Sequence, residues 1–159
     1  KPPPNYKEFI RFIEDEPEEA YRVFREKNGD EKTFVKTTKL IANLEESFSG
    51  TPWLGGSLLG KLKTVNYKLV NKTVGNSQNS IARLVQHIIN WRVFVIEKLA
   101  GNHTFDIEMN SDKDWTNVFI GNEAEWNDLL GKLIETQNMQ KSKALNSDSV
   151  GKVKIRNNK

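Results

Sequence analysis

Cysteine is missing from all 159 residues, which excludes disulfides, zinc ribbons and a thiol nucleophile. The absence fits a reducing compartment, and the expected location is the cytoplasm. Histidine occurs only twice, at His87 and His103, so no Ser-His-Asp constellation can be argued. Long apolar runs are missing as well. The longest, Val93-Phe94-Val95-Ile96, is far short of the ~20 residues that cross a bilayer, and no membrane partner is expected. No secretory signal precedes the first expected helix, so the sequons at Asn71-Lys72-Thr73 and Asn102-His103-Thr104 carry no weight.

What is present is an ordinary globular mixture, 36% hydrophobic and 28% charged, in a length that suits one compact domain. The net charge of +3 is unevenly placed. Residues 141–159 carry +5 and the preceding 140 residues carry −2. Such a basic tail serves either as an arm for nucleic acid or acidic lipid, or as a solvated terminus. No aromatics interleave with its lysines to stack on single strands, and nothing reads bases elsewhere, so a nucleic-acid partner is not expected. The chain opens on Lys1-Pro2-Pro3-Pro4 and stops in a polar stretch, which reads as a cut at both ends.

Helical periodicity organises the interior. Segments are read over 6–14, from Pro17 to the Asn28-Gly29 stop, and over 33–48 with Val35, Leu40, Ile41, Leu44 and Phe48 at helical spacing. After a breaker-rich loop, 49–57, a weaker helix is read over 58–70. The strongest follows over 80–99, closed by Gly101, and a last one spans 122–139. No strands recur at regular spacing, so the expected class is all-α, a helical bundle.

On a wheel of about 100° per residue, the 80–99 segment shows one broad apolar face, Ile81, Val85, Ile88, Val95, Ile96 and Leu99, with Arg92 near its middle. A second stripe runs Leu84, His87, Trp91 and Phe94. A helix apolar over so much of its circumference is expected to be central and well buried. A buried polar group needs a partner. His87 therefore reads either as a core or cleft histidine bonded to a carbonyl or as a metal ligand. Arg92 reads as a carboxylate-paired or snorkelling side chain, or as a substrate clamp.

The run Ser80-Ile81-Ala82-Arg83-Leu84-Val85-Gln86-His87-Ile88-Ile89-Asn90-Trp91-Arg92 resembles the second-helix signature of the DinB/YfiT-like family. Pro52-Trp53-Leu54-Gly55-Gly56-Ser57-Leu58 is similar to that family's Trp-Gly loop, and Leu99-Ala100-Gly101-Asn102 and Asp114-Trp115 agree in order and spacing. The resemblance covers about residues 37–140. It implies an up-down-down-up four-helix bundle, a homodimer, and a divalent metal, zinc or nickel, held by three histidines. One comes from the second helix, matched here by His87, and two from an H-x-x-x-H pair on the last. That pair occurs nowhere in this chain. One histidine cannot hold a catalytic metal, so either the chain is truncated or this member has lost the site, and the chain as given is expected to bind none. The implied organisation is an N-terminal helical extension, 1–36, a bundle, 37–140, and a basic polar tail, 141–159.

Two further motifs fall short of a site. Gly55 to Lys61 fits the letter of G-x-x-x-x-G-K, but no strand precedes it and Leu62 stands where Ser or Thr should follow. Asp106, Glu108, Asp112 and Asp114 form an acidic loop without calcium-loop spacing, and solvated carboxylates are expected there. Three functions stay open: a metal-dependent hydrolase or thiol transferase if a full site is completed, a metal-free binder of a small molecule or partner, and a dimerisation module. The expected cleft is lined by Trp53, Leu84, His87, Trp91 and Arg92.

Overall fold

A computed structural model describes residues 31–53 and 55–146, together with residues 15, 16, 18–20 and 22. The described residues are all-helical, without strands, and no helix among them is long and apolar enough to cross a membrane. The element order is α1 (Glu31–Phe48), α2 (Leu58–Lys63), a 3-10 turn (Tyr67–Leu69), α3 (Ile81–Leu99) and α4 (Glu123–Asn146). The helix expected over 6–14 lies outside the described residues. Of the next, only parts are described, including Ala20, which is fully buried.

Side chains set most of the helix boundaries. Ser80 caps α3 by accepting from the Arg83 amide at 3.3 Å, and Gly101, at φ +88°, ends it in the left-handed conformation that glycine adopts freely. Asn122 accepts from the Glu125 amide at 3.0 Å, and the Glu125 carboxylate reaches back to the Gly121 amide at 2.7 Å, a reciprocal cap that starts α4. Gly50 ends α1 where any Cβ would stand 2.8 Å from the Glu46 Cα, so the chain can turn there only without one. The helix expected over 58–70 is split in two. Thr64 caps α2, and Asn66 takes the Lys68 amide on its side-chain oxygen at 3.0 Å, redirecting the chain into the 3-10 turn.

The core lies where α3 crosses α4, closed by the end of α1 and by α2. Phe48, Leu59, Leu62, Val70, Ala82, Val85, Ile89, Ile120, Trp126, Leu129, Leu130 and Leu133 form one buried cluster. Truncating Leu133, at 0% exposure, to alanine should cost roughly 2–5 kcal/mol, the usual range for a core cavity. The buried stripe of α3 is Ala82, Val85, Ile89 and Ile96, rotated from the face read on the wheel, and Ile88 and Val95 are half-buried. Leu40, read as a core position of α1, is 57% exposed.

Helix α4 continues to Asn146, seven residues beyond the expected end, and takes in Lys141–Asn146, which the sequence assigned to the basic tail. Polar residues carry this extension inward. Gln137 donates to the Leu44 carbonyl of α1 at 3.3 Å, and the Lys141 ammonium, 3% exposed, pairs with Glu45. Apolar spacing alone could not show it, because Thr136, Gln137 and Lys141 take the inward positions where aliphatic residues would be expected. Helix α1 likewise runs unbroken across position 37, where the sequence reading began the bundle.

Candidate functional site

Five residues of α3, Arg83, Gln86, His87, Asn90 and Trp91, fall at i, i+3, i+4, i+7 and i+8 and therefore share one side of the helix. That side packs against the segment 110–116. Asn90 donates its side-chain amide to the Lys113 carbonyl at 2.7 Å and to the Thr116 hydroxyl at 3.0 Å, while its own carbonyl accepts from Gln86 at 2.8 Å. Arg83 donates to the Trp115 carbonyl at 3.3 Å, its guanidinium carbon 5.6 Å from the Trp115 ring centroid.

Asp114 is the hub. It is 3% exposed, whereas the acidic loop was expected to be solvated throughout. Its Oδ1 accepts from the Trp91 indole at 2.7 Å and lies 2.8 Å from His87 Nδ1, and its Oδ2 accepts from the Asn110 amide at 2.8 Å. Asn110 sits at φ 65°, a left-handed conformation that asparagine tolerates, and this turns its N–H onto the carboxylate. Desolvation pushes the Asp114 carboxyl up. The Asn110 amide, the Trp91 indole and the facing His87 outweigh it and hold the carboxyl below its ordinary range. Burial is thus compensated by three donors, and the carboxylate stays ionised.

His87 inherits its tautomer from this arrangement. Nδ1 faces two acceptors, Asp114 Oδ1 at 2.8 Å and the Asp114 carbonyl at 3.1 Å, so it carries the proton. In the neutral ring the lone pair then belongs to Nε2, which has no hydrogen-bond partner among the described residues. Trp115 stacks on the imidazole at 3.9 Å with planes 9° apart, and Trp91 meets it edge-on at 6.3 Å. The His87 side chain keeps 26% of its surface in solvent. The result is an oriented imidazole between two indoles with one open nitrogen.

The other expected cleft residues are dispersed. Trp53 is 94% exposed, too open to line a cleft with His87, and Leu84 is 43% exposed. Arg92 points to the far side of α3, where it donates to the Leu133 carbonyl of α4 at 2.8 Å and lies 4.7 Å from the Phe48 ring centroid. No carboxylate pairs with it among the described residues, which corrects the expected ion pair. A helical carbonyl and a ring face suffice because desolvation lowers the guanidinium to about 10, still well above neutral pH. Of the sequence-based site, His87 and Trp91 come together and Trp53, Leu84 and Arg92 do not join them.

The sequence reading missed Asp114 as the partner of His87 and Asn90 as a second anchor of the segment 110–116. The available signal was the polar stripe itself, five hydrogen-bonding or aromatic residues at helical spacing on a helix whose other side is aliphatic. As for a metal, no three His, Asp or Glu side chains converge among the described residues, and His103 is exposed in the loop beyond α3. The described residues therefore offer a single nitrogen donor with its second nitrogen fixed, short of a zinc or nickel coordination set. No family model, curated protein or solved structure matches the chain.

Proposed function

We propose that the chain is a metal-free binding bundle of the DinB/YfiT-like kind, which takes a small hydroxylated aromatic ligand at His87. The observation that carries this reading is the His87–Asp114 pair, which gives Nε2 the role of hydrogen-bond acceptor on an imidazole stacked on Trp115 and met edge-on by Trp91. The family part of the reading rests on the all-helical architecture and on Asp114-Trp115 meeting His87, two pieces of the resemblance that pack on each other. It carries with it the up-down-down-up topology and the homodimer, for which the equilibrium mass in sedimentation is the direct check. A hydrolase or thiol transferase would require metal donors beyond those described.

Phenol is a suitable probe, offering one O–H to Nε2 and one ring to the indoles. Side-chain nitrogen NMR should find His87 protonated at Nδ1, and phenol should move the His87 Nε2 signal saturably while leaving His103 in place. Asp114→Asn should weaken that binding several-fold. A proton on Nε2 in the free protein, or a His87 signal indifferent to phenol, would overturn the reading. Near-stoichiometric zinc or nickel retained after dialysis and lost in His87→Ala would restore the metal site instead.

A further inference from the structure

A groove of about 480 Å³ lies between the Lys63–Lys68 stretch and the first turns of α4, away from His87. Its volume falls within the range of small-molecule sites. Trp126 and Leu130, 3% and 6% exposed, belong to the core and also line the groove, with Val65 and Tyr67 adding apolar surface. Polar groups converge on the same space: Lys63, Lys68 and Asn127.

Two features of these groups suit a ligand. Among the described residues neither Lys63 nor Lys68 has a carboxylate partner, although the acidic Glu123 stands in the same wall. The Trp126 indole N–H likewise makes no hydrogen bond among the described residues, and it is not sealed from solvent although the residue as a whole is only 3% exposed. It is thus open to an acceptor in the groove, whereas Trp91 gives its own to Asp114 at 2.7 Å. The groove therefore presents solvent-accessible donors, two of them cationic, beside the apolar surfaces of Val65, Tyr67 and Leu130. Its complement is a molecule with an anionic, acceptor-rich head and an apolar body.

We propose that this groove is a second ligand site, for a small organic anion that places a carboxylate or phosphate oxygen toward Lys63, Lys68 and the Trp126 indole and its body against Val65, Tyr67 and Leu130. Glu123 opposes the anion and so limits how much negative charge the site accepts. A singly charged carboxylate is favoured over a dianionic phosphate monoester.

Benzoate, phenyl phosphate and inorganic phosphate separate the parts of this claim when titrated into the full chain, read by the indole N–H NMR signals. The Trp126 signal is assigned from its loss in Trp126→Phe. Benzoate should shift it saturably at millimolar or lower concentration, leave the Trp91 and Trp115 signals in place, and bind more tightly than phenyl phosphate. Lys63→Ala with Lys68→Ala, both at exposed positions, should weaken benzoate at least tenfold, and Glu123→Gln should tighten it. His87→Ala should change nothing, which keeps this site separate from the one above. A Trp126 signal unmoved by all three anions, or one that responds equally in the double-lysine variant, overturns the proposal. A response to inorganic phosphate as strong as to benzoate overturns the organic class.

Discussion

The two sides of α3 solve the same problem in opposite ways. On one, the aromatic and polar stripe from Arg83 to Trp91 meets a buried carboxylate, and Asp114 gathers three donors from three residues. On the other, Arg92 enters the α3–α4 contact with no counter-charge among the described residues, one carbonyl at 2.8 Å and one ring face taking its place. A small buried anion has no apolar stem and depends wholly on its donors. A guanidinium can bury its stem, spread its charge over a ring and keep its remaining hydrogens near the surface. The first arrangement is fragile to loss of either partner, whereas the second tolerates an apolar replacement.

Asp114→Ala breaks the comparison at its strongest point and should have the largest effect. Trp91 and the Asn110 amide lose their acceptor together and His87 keeps only the Asp114 carbonyl, so the melting temperature should fall by roughly 5–10 °C, as for other changes that strand several buried polar groups. The same carboxyl sets an acid limit. Because its folded pKa is depressed, its contribution is fully present above the unfolded value of about 3.9 and is lost as pH falls through the lower folded value. Urea denaturation between pH 5 and pH 2 should show this loss in the wild type and not in Asp114→Asn.

Arg92→Met tests the opposite side. Methionine keeps the stem and removes the charge, and the Leu133 carbonyl still accepts from the Thr136 hydroxyl at 3.1 Å. Stability should change by no more than about 1 kcal/mol, and a gain is as consistent as a small loss. A fall of several kcal/mol would reveal a counter-charge that Arg92 needs. The smallest effect belongs to Trp53→Ala. At 94% exposure the indole buries almost nothing, so calorimetry should find stability within about 0.5 kcal/mol of wild type, and phenol should affect His87 as before.

Helix positions and types were legible wherever apolar spacing and caps coincide. Ser80 and Gly101 bracket α3 to within one residue of the expected span, and Asn122 marks the start of α4. Legibility ended where polar side chains turn inward. The last turns of α4 bury Gln137 and Lys141 against α1, and a carboxylate in a loop of four acidic residues becomes the hub of the site. Residue type alone cannot distinguish a solvated aspartate from a buried one. The difference lies in donors that are 23 and 27 residues away along the chain and adjacent only after folding. Arg92 was misread for a related reason, since the ring that replaces its counter-ion, Phe48, belongs to another helix.

The Asn71 side chain donates to the Ile120 carbonyl at 2.7 Å and accepts from the Ile120 amide at 3.0 Å, imitating one rung of a β-ladder where no strand exists. Forty-nine residues separate the two partners, and the intervening chain includes the whole of α3 and the Asp114 segment. In folding terms this clasp is the costly kind of contact. It forms only after α3 has ordered and the 110–116 segment has settled on it, because only then do its ends stand close together. Its two bonds are therefore expected to form late, after the folding barrier. Asn71→Ala should then speed unfolding and leave the refolding rate almost unchanged in stopped-flow measurements, making Asn71 a determinant of how long the folded molecule lasts more than of how quickly it is made.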